Sequence, residues 1–204
     1  MTQLAPAKRR SFDERFALVA ALPTFIPETE RYKLTLQDVG KGGVIRLGGK
    51  VWLVQELNTC TDKDDGYLTT ELVLFCLTTG EKKNIEWSID DELEVSESLR
   101  ELSFSDLRDD EGEEIDIEDL EQIIQERDVI LLNGQEFKFD EDCSVTYRAG
   151  NKPGETTDVW TLDFKAKGGK QGITIEVWPS DDCEVWLWQA VDPDSIEVLY
   201  TGGE

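Results

Sequence analysis

From Leu34 onward the apolar and polar positions follow the short-period pattern of β-strands rather than the spacing of helices. Val44, Ile45 and Leu47 begin a strand, Gly48-Gly49 turns it, and Val51 to Leu57 returns. Asp62-Lys63-Asp64-Asp65-Gly66 is a polar loop. Tyr67 to Leu77 is the longest strand candidate of this stretch. Thr79-Gly80 leads into Lys82 to Ile89, and Asp90-Asp91 into Leu93 to Leu99. A second set begins at Asp128 to Leu132, which pairs across Asn133-Gly134, a strong type I′ hairpin signal, with Glu136 to Phe139. Asp158 to Lys165, Ile173 to Trp178 and Cys183 to Val191 follow, with Ile196 to Leu199 as a closing strand. Leu102 to Phe104 is its counterpart at the end of the first set.

Helical spacing occurs twice. Ser11 and Glu14 form a capping box ahead of Phe12, Phe16 and Val19, and Pro23 ends that helix. Between the strand sets, Asp106 to Glu121 holds ten acidic residues and one Arg. Ile117, Leu120, Ile123 and Ile124 then share a helical face, with Asp116 and Asp119 where the helix dipole favours negative charge. The connector therefore reads as a solvated loop feeding one amphipathic helix.

The two strand sets resemble each other. Val44-Ile45-Arg46-Leu47-Gly48-Gly49 recurs as Val129-Ile130-Leu131-Leu132-Asn133-Gly134. Ile85-Glu86 recurs as Ile175-Glu176, and Asp91 to Val95 as Asp181 to Val185. The expected fold is all-β with minor α: two tandem related small β-barrels or sandwiches, an N-terminal helix and a connector helix. The divisions are 1–33 for the tail and short helix, 34–107 for the first β domain, 108–127 for the acidic connector and helix, and 128–204 for the second β domain. Two domains this small would each have a modest core and would pack together.

Charge narrows the function classes. The net charge of −24 opposes direct binding to nucleic acid or to an anionic membrane. It suits basic protein partners, polycations or metal ions, and above all solubility. No apolar run approaches the length of a membrane span, so no membrane insertion is expected. Lys8-Arg9-Arg10-Ser11-Phe12 superficially matches a twin-arginine export signal. Asp13, Glu14 and Arg15 stand where its apolar stretch would lie, so the expected location is cytoplasmic.

The four cysteines form no CxxC pair and histidine is absent, which removes the usual zinc ligands and the commonest general base. Cys76 and Cys183 lie in apolar strand patterns and read as buried free thiols. An EF-hand laid over Asp109, Glu111, Gly112 and Glu118 would put Leu107 at its first ligand position, so no calcium site is assigned. The Gly-rich stretches Gly40 to Gly43 and Gly168-Gly169 lack a phosphate-binding pattern and read as turns. No cofactor, metal or catalytic residue is assigned, and the protein is expected not to be an enzyme.

Comparing the sets singles out one face. By strand alternation Glu94, Ser96 and Ser98 of the first face out, and the positions of Ser96 and Ser98 are taken by Trp186 and Trp188 in the second. Two large aromatics on a face that is polar in its counterpart mark either an internal contact or an interaction site. The candidate partner-binding residues are Trp186 and Trp188, together with Asp109, Asp110, Glu111, Glu113 and Glu114 for electrostatic attraction.

The run Leu36-Gln37-Asp38-Val39, Gly43 to Val54 and the Glu86-Trp87 strand resembles a bacterial family of small β-rich domains known only as a domain of unknown function. Ile175-Glu176-Val177-Trp178, Val191-Asp192-Pro193 and Ile196 to Leu199 are similar too. The resemblance spans about residues 34–200. It implies an accessory role beside phage-shock-type or polyamine-related membrane and ligase proteins, and it carries no catalytic residue. The functional expectation is a non-catalytic cytoplasmic protein-binding or adaptor module. The alternatives are an acidic DNA-mimic inhibitor and a carboxylate- or metal-dependent enzyme.

Overall fold

The computed structural model describes residues 26–126, 129–150, 154–179 and 182–203. The helix expected at Ser11 to Pro23 lies outside the described residues. Twelve strands run β1 (Val44–Leu47), β2 (Lys50–Asp62), β3 (Leu68–Cys76), β4 (Lys82–Ile89), β5 (Leu93–Leu102), β6 (Leu107–Arg108), β7 (Val129–Leu132), β8 (Gln135–Arg148), β9 (Thr157–Ala166), β10 (Gln171–Val177), β11 (Cys183–Ala190) and β12 (Glu197–Tyr200). Two short helices join them, α1 (Glu28–Arg31) and α2 (Leu120–Glu126). Among the described residues no helix is long and apolar enough to cross a membrane.

The chain divides into two compact units. One holds the described residues up to Leu57, Leu72–Lys83 and Asp192 onward. In it β1 lies between β12 and the first part of β2, with Val44 opposite both Tyr200 and Leu53. Val44, Leu53 and Leu199 are buried together, and the Trp52 indole N–H donates to the Leu47 carbonyl at 3.1 Å. Arg31 bridges to Glu197 at 2.7 Å, and Arg46 reaches the same carboxylate.

The other unit holds Asn58–Glu71 and Asn84–Val191. Its strands, with β2 entering at Asn58 and β3 leaving at Glu71, follow the order β2-β3-β4-β5-β11-β10-β9-β8, and β2 pairs with β8, so the sheet closes on itself. This is one eight-stranded barrel, where the sequence suggested two tandem barrels. The reason lies in the strand edges. β2 to β5 form an open arc, and so do β8 to β11. Each arc leaves two unpaired edges, and the arcs satisfy one another at β5–β11 and β2–β8. Eight strands are also about the number whose closure leaves room inside for side chains or one small ligand.

Local sequence explains the joints. Asn133 and Gly134 both take the left-handed conformation that the β7–β8 hairpin demands, at φ 51° and 79°. β8 is far longer than the expected Glu136 to Phe139, and a register shift between Phe139 and Glu141 bends it. The counterpart expected at Leu102 to Phe104 is a 3-10 turn over Phe104–Asp106 followed by β6, which pairs with β7. The core of this unit gathers Leu162, Phe164, Ile173, Ile175 and Val185 under Leu107, Ile115, Leu120, Ile123, Ile130 and Leu132. The connector helix forms as expected, α2 following a 3-10 turn over Ile117–Asp119 and burying Leu120 and Ile123. Asp116 caps that turn by accepting the Glu118 N–H.

Candidate functional site

Along β8 to β11 alternate residues separate into two faces. One is the apolar core face just described. The other is polar, and its rows can be followed from strand to strand. Cys143 lies opposite Thr161, Thr161 opposite Glu176, and Glu176 opposite Glu184. The next row is Glu141, Asp163, Thr174 and Trp186. The one beyond is Lys165, Gly172, Trp188 and Ser98.

This polar face points into the barrel. The charge of Asp163 on β9 acts on Glu86 on β4, although those strands stand four apart whichever way the ring is followed. Glu176 feels Glu86 and Glu71, and Cys60 on β2 feels Glu86 and Glu176. Only inward side chains from such different strands come that close. Glu86 is exposed by its accessible surface, yet crowding by surrounding protein is the largest influence on its carboxyl. The two are compatible because Glu86 lines an internal space. The lumen of the barrel is therefore polar, and four carboxyls reach it: Glu71, Glu86, Asp163 and Glu176.

The four are held differently. Both oxygens of Glu71 accept from amides, Asn58 Nδ2 and Asn84 Nδ2 each donating at 2.6 Å. Asn58 is itself pinned, its Oδ1 accepting from the Gly150 N–H at 2.8 Å. The Ser98 hydroxyl accepts from the Asn84 N–H and donates to the Asn84 carbonyl. Opposite them the Trp188 indole N–H donates to Thr174 Oγ1 at 3.1 Å, and the Thr174 hydroxyl donates to Asp163. Glu86 and Glu176 have no ion pair among the described residues. Lys165 bridges to Asp140 at 2.7 Å, and Lys138 lies opposite Lys165 on the same face.

Desolvation sets the protonation of these groups. Burial raises Glu86 to about 8, with Glu71 and Asp163 adding repulsion. Burial likewise raises Glu176 to about 8, helped by Glu86, Glu184, Glu71 and Asp163. Asp163 is raised by burial to about 6, against the lowering effect of its Thr174 hydrogen bond. Among the described residues no group of three or more His, Cys, Asp or Glu is arranged to hold a metal ion. Cys60, Cys76 and Cys143 are free thiols; Cys76 is buried and Cys183 half-buried.

The sequence-derived candidates fall in two places. Trp186 and Trp188 are half-buried on β11, on the lumen face. The Trp188 ring occupies the space over Gly172, where a Cβ would stand 2.1 Å from it. Trp186 donates to Glu184 at 3.3 Å. Asp109, Asp110, Glu111, Glu113 and Glu114 follow β6, separated from β11 in strand order by β10, β9, β8 and β7. They form a closed turn rather than a loose loop. Asp109 Oδ1 accepts the Glu113 N–H at 2.8 Å, the Gly112 N–H donates to the Asp109 carbonyl, and Arg108 pairs with Glu114. The two tryptophans are thus brought together with the lumen carboxyls and not with the acidic turn.

Sequence reasoning passed over Glu71, Glu86, Asp163 and Glu176. One signal was present, since Glu86 and Glu176 recur in matching Ile-Glu pairs, but a charged residue alternating with apolar ones reads as solvent-facing.

Residues 40–193 match the family described as Domain of unknown function (DUF4178). No curated protein and no solved structure gives a match.

Proposed function

Because the chain belongs to the DUF4178 family, whose description carries no activity, we propose a function from the chemistry of its barrel: a non-catalytic binding module that holds a small organic cation in the lumen. The carrying observation is that the carboxyls of Glu86 and Glu176 stand on the lumen face with Glu71 and Asp163, with no lysine or arginine paired to either of the first two among the described residues. An ammonium or guanidinium group would supply the missing positive charge. The indoles of Trp186 and Trp188 lie on the same face, and aromatic rings favour cations.

Titration of the full-length protein with n-butylammonium, followed by tryptophan fluorescence, tests this reading. Saturable binding is expected, with pentan-1-ol, the neutral analogue of similar size, at least about tenfold weaker. Equal affinity for both probes, or no binding of the ammonium, rejects it.

A second reading has its own support. The exposed acidic turn Asp110 to Glu114 offers a compact negative patch to a protein partner with a basic surface. Pull-down that is lost on neutralising this turn, and kept in Glu86→Gln, would favour that reading. The raised lumen carboxyls also meet one condition for acid–base chemistry. Turnover of a bound amine, detected as a changed product, would move the protein from binding module to enzyme.

A further inference from the structure

Resting on the reading of the lumen face as a cation site, we propose that its ligand is a zwitterion, an ammonium and a carboxylate joined by a short apolar chain, and that Lys138 and Lys165 take the carboxylate. Register places the two lysines. Lys138 on β8 lies opposite Lys165 on β9. Both alternate with core residues, Phe137 and Phe139 on one strand and Phe164 and Ala166 on the other. Their side chains therefore stand on the polar face that carries Asp163 and Glu176. Asp163 follows Lys165 on that face at a spacing of two residues, about 7 Å by the rise of a strand. The face changes sign within that step. Lysine stands opposite lysine, then Glu141 opposite Asp163, and in the next row Glu176 opposite Glu184.

Like charges directly opposite one another are destabilising, so this ordering is not one that pairing of the strands favours. A cation alone relieves the acidic rows and leaves the lysines as they were. Lys138 has no ion pair among the described residues, and Lys165 bonds to Asp140, the extra residue of the β8 bulge. A molecule carrying both charges relieves both kinds of row. The surface between them is aromatic. Gly172 lies opposite Lys165 on β10, and the Trp188 ring fills the place where its side chain would be. The same indole donates its N–H to Thr174, which lies opposite Asp163. The ring thus reaches from the lysine row to the acidic row and offers a chain of methylene groups an apolar surface.

Calorimetric titration of the full chain near neutral pH with ε-aminocaproate and with n-hexylammonium, the same chain ending in methyl instead of carboxylate, tests the assignment. Both amines are protonated and the carboxylate is ionised under these conditions. Because both lysines are exposed, ε-aminocaproate is expected to bind about fivefold more tightly, the scale of an exposed ion pair. Lys138→Gln should abolish that preference. Asp140→Asn, which releases Lys165 from its bridge, should enlarge it, and Lys82→Gln in the other unit should leave it unchanged. All three positions are exposed, so the variants should fold as the parent does. Saturable binding of n-hexylammonium with equal or weaker binding of ε-aminocaproate, or a preference that survives Lys138→Gln, overturns the zwitterion and leaves the cation site standing. Binding of neither probe overturns both.

Discussion

The two arcs of the barrel, β2 to β5 and β8 to β11, share a strand order and place Glu86 and Glu176 at matching positions, yet they treat the space between them differently. The first arc contributes small polar groups and a clamp, Asn58 and Asn84 gripping Glu71, with Ser98 gripping Asn84. The second contributes bulk and a relay, Trp188 to Thr174 to Asp163. Trp188 and Ser98, which look like alternatives when the two segments are laid side by side, are cross-strand neighbours at the β5–β11 junction. The indole thus rests beside the serine that corresponds to it. The second arc sets two indoles, Trp186 and Trp188, on the carboxyl face.

The sharpest way to test the equivalence of the two acids is pH, and it carries the largest expected effect. The carboxyls of Glu86 and Glu176 titrate at about 8 in the fold, against an ordinary 4.5. Between those values the folded chain holds protons that the unfolded chain has released. Raising the pH through that window therefore draws the equilibrium toward unfolding, and the melting temperature should stand several degrees lower at pH 9 than at pH 5. Glu86→Gln and Glu176→Gln should each remove a similar part of that slope and raise stability at pH 9. If only one of them does so, the two arcs are not equivalent at their shared centre.

Truncating Trp188 separates the aromatic wall from its counterpart. Its ring packs on Gly172 and its N–H is bonded, so Trp188→Ala should cost about 3 kcal/mol in chemical denaturation. Trp186, whose N–H reaches the neighbouring Glu184, should cost about 1 kcal/mol or less, as do most single substitutions away from a packed site. Equal losses would mean that both rings are structural and that neither is available to a ligand.

Gly172 extends the same contrast to the backbone. An added methyl there meets the Trp188 ring at 2.1 Å and the Phe164 carbonyl at 2.7 Å, so Gly172→Ala should cost about 2 kcal/mol through overpacking. Lys82 holds the matching place before Ile85 and is exposed, so Lys82→Ala should be close to neutral. A tolerated Gly172→Ala would show that the indole can leave its seat.

Much of this architecture was legible in the sequence. β4 falls on Lys82–Ile89 as its alternation predicts, and Asn133-Gly134 turns its hairpin. β8 was not, because Asp140, Glu141 and Asp142 are poor strand formers in mid-strand, held there by the ladder to β9. The single barrel was hidden for a different reason. The alternation shows which residues share a face but not which edges meet, and the β2–β8 and β5–β11 pairings join distant segments. The lumen was misjudged by the same logic. Ser96 and Ser98 read as outward because polar faces usually are, and a barrel with a polar interior inverts the rule without changing the pattern. Glu86 was visible as a repeated residue and invisible as one of the lumen face.

The smallest effect is expected at Ser98, and it bears on what the serine side of the junction does. Its hydroxyl satisfies both backbone groups of Asn84, and Asn84 holds one oxygen of Glu71. Ser98 is half-buried, so water can reach part of what Ser98→Ala exposes, and the loss should be about 1 kcal/mol. The informative readout is exchange of the Asn84 amide hydrogen. If the clamp on Glu71 depends on this hydroxyl, the Asn84 N–H should exchange faster in the variant while amides of β9 and β10 stay protected. Unchanged exchange at Asn84 would mean that the first arc positions Glu71 through its strands alone, and that Ser98 is simply the small neighbour that Trp188 needs.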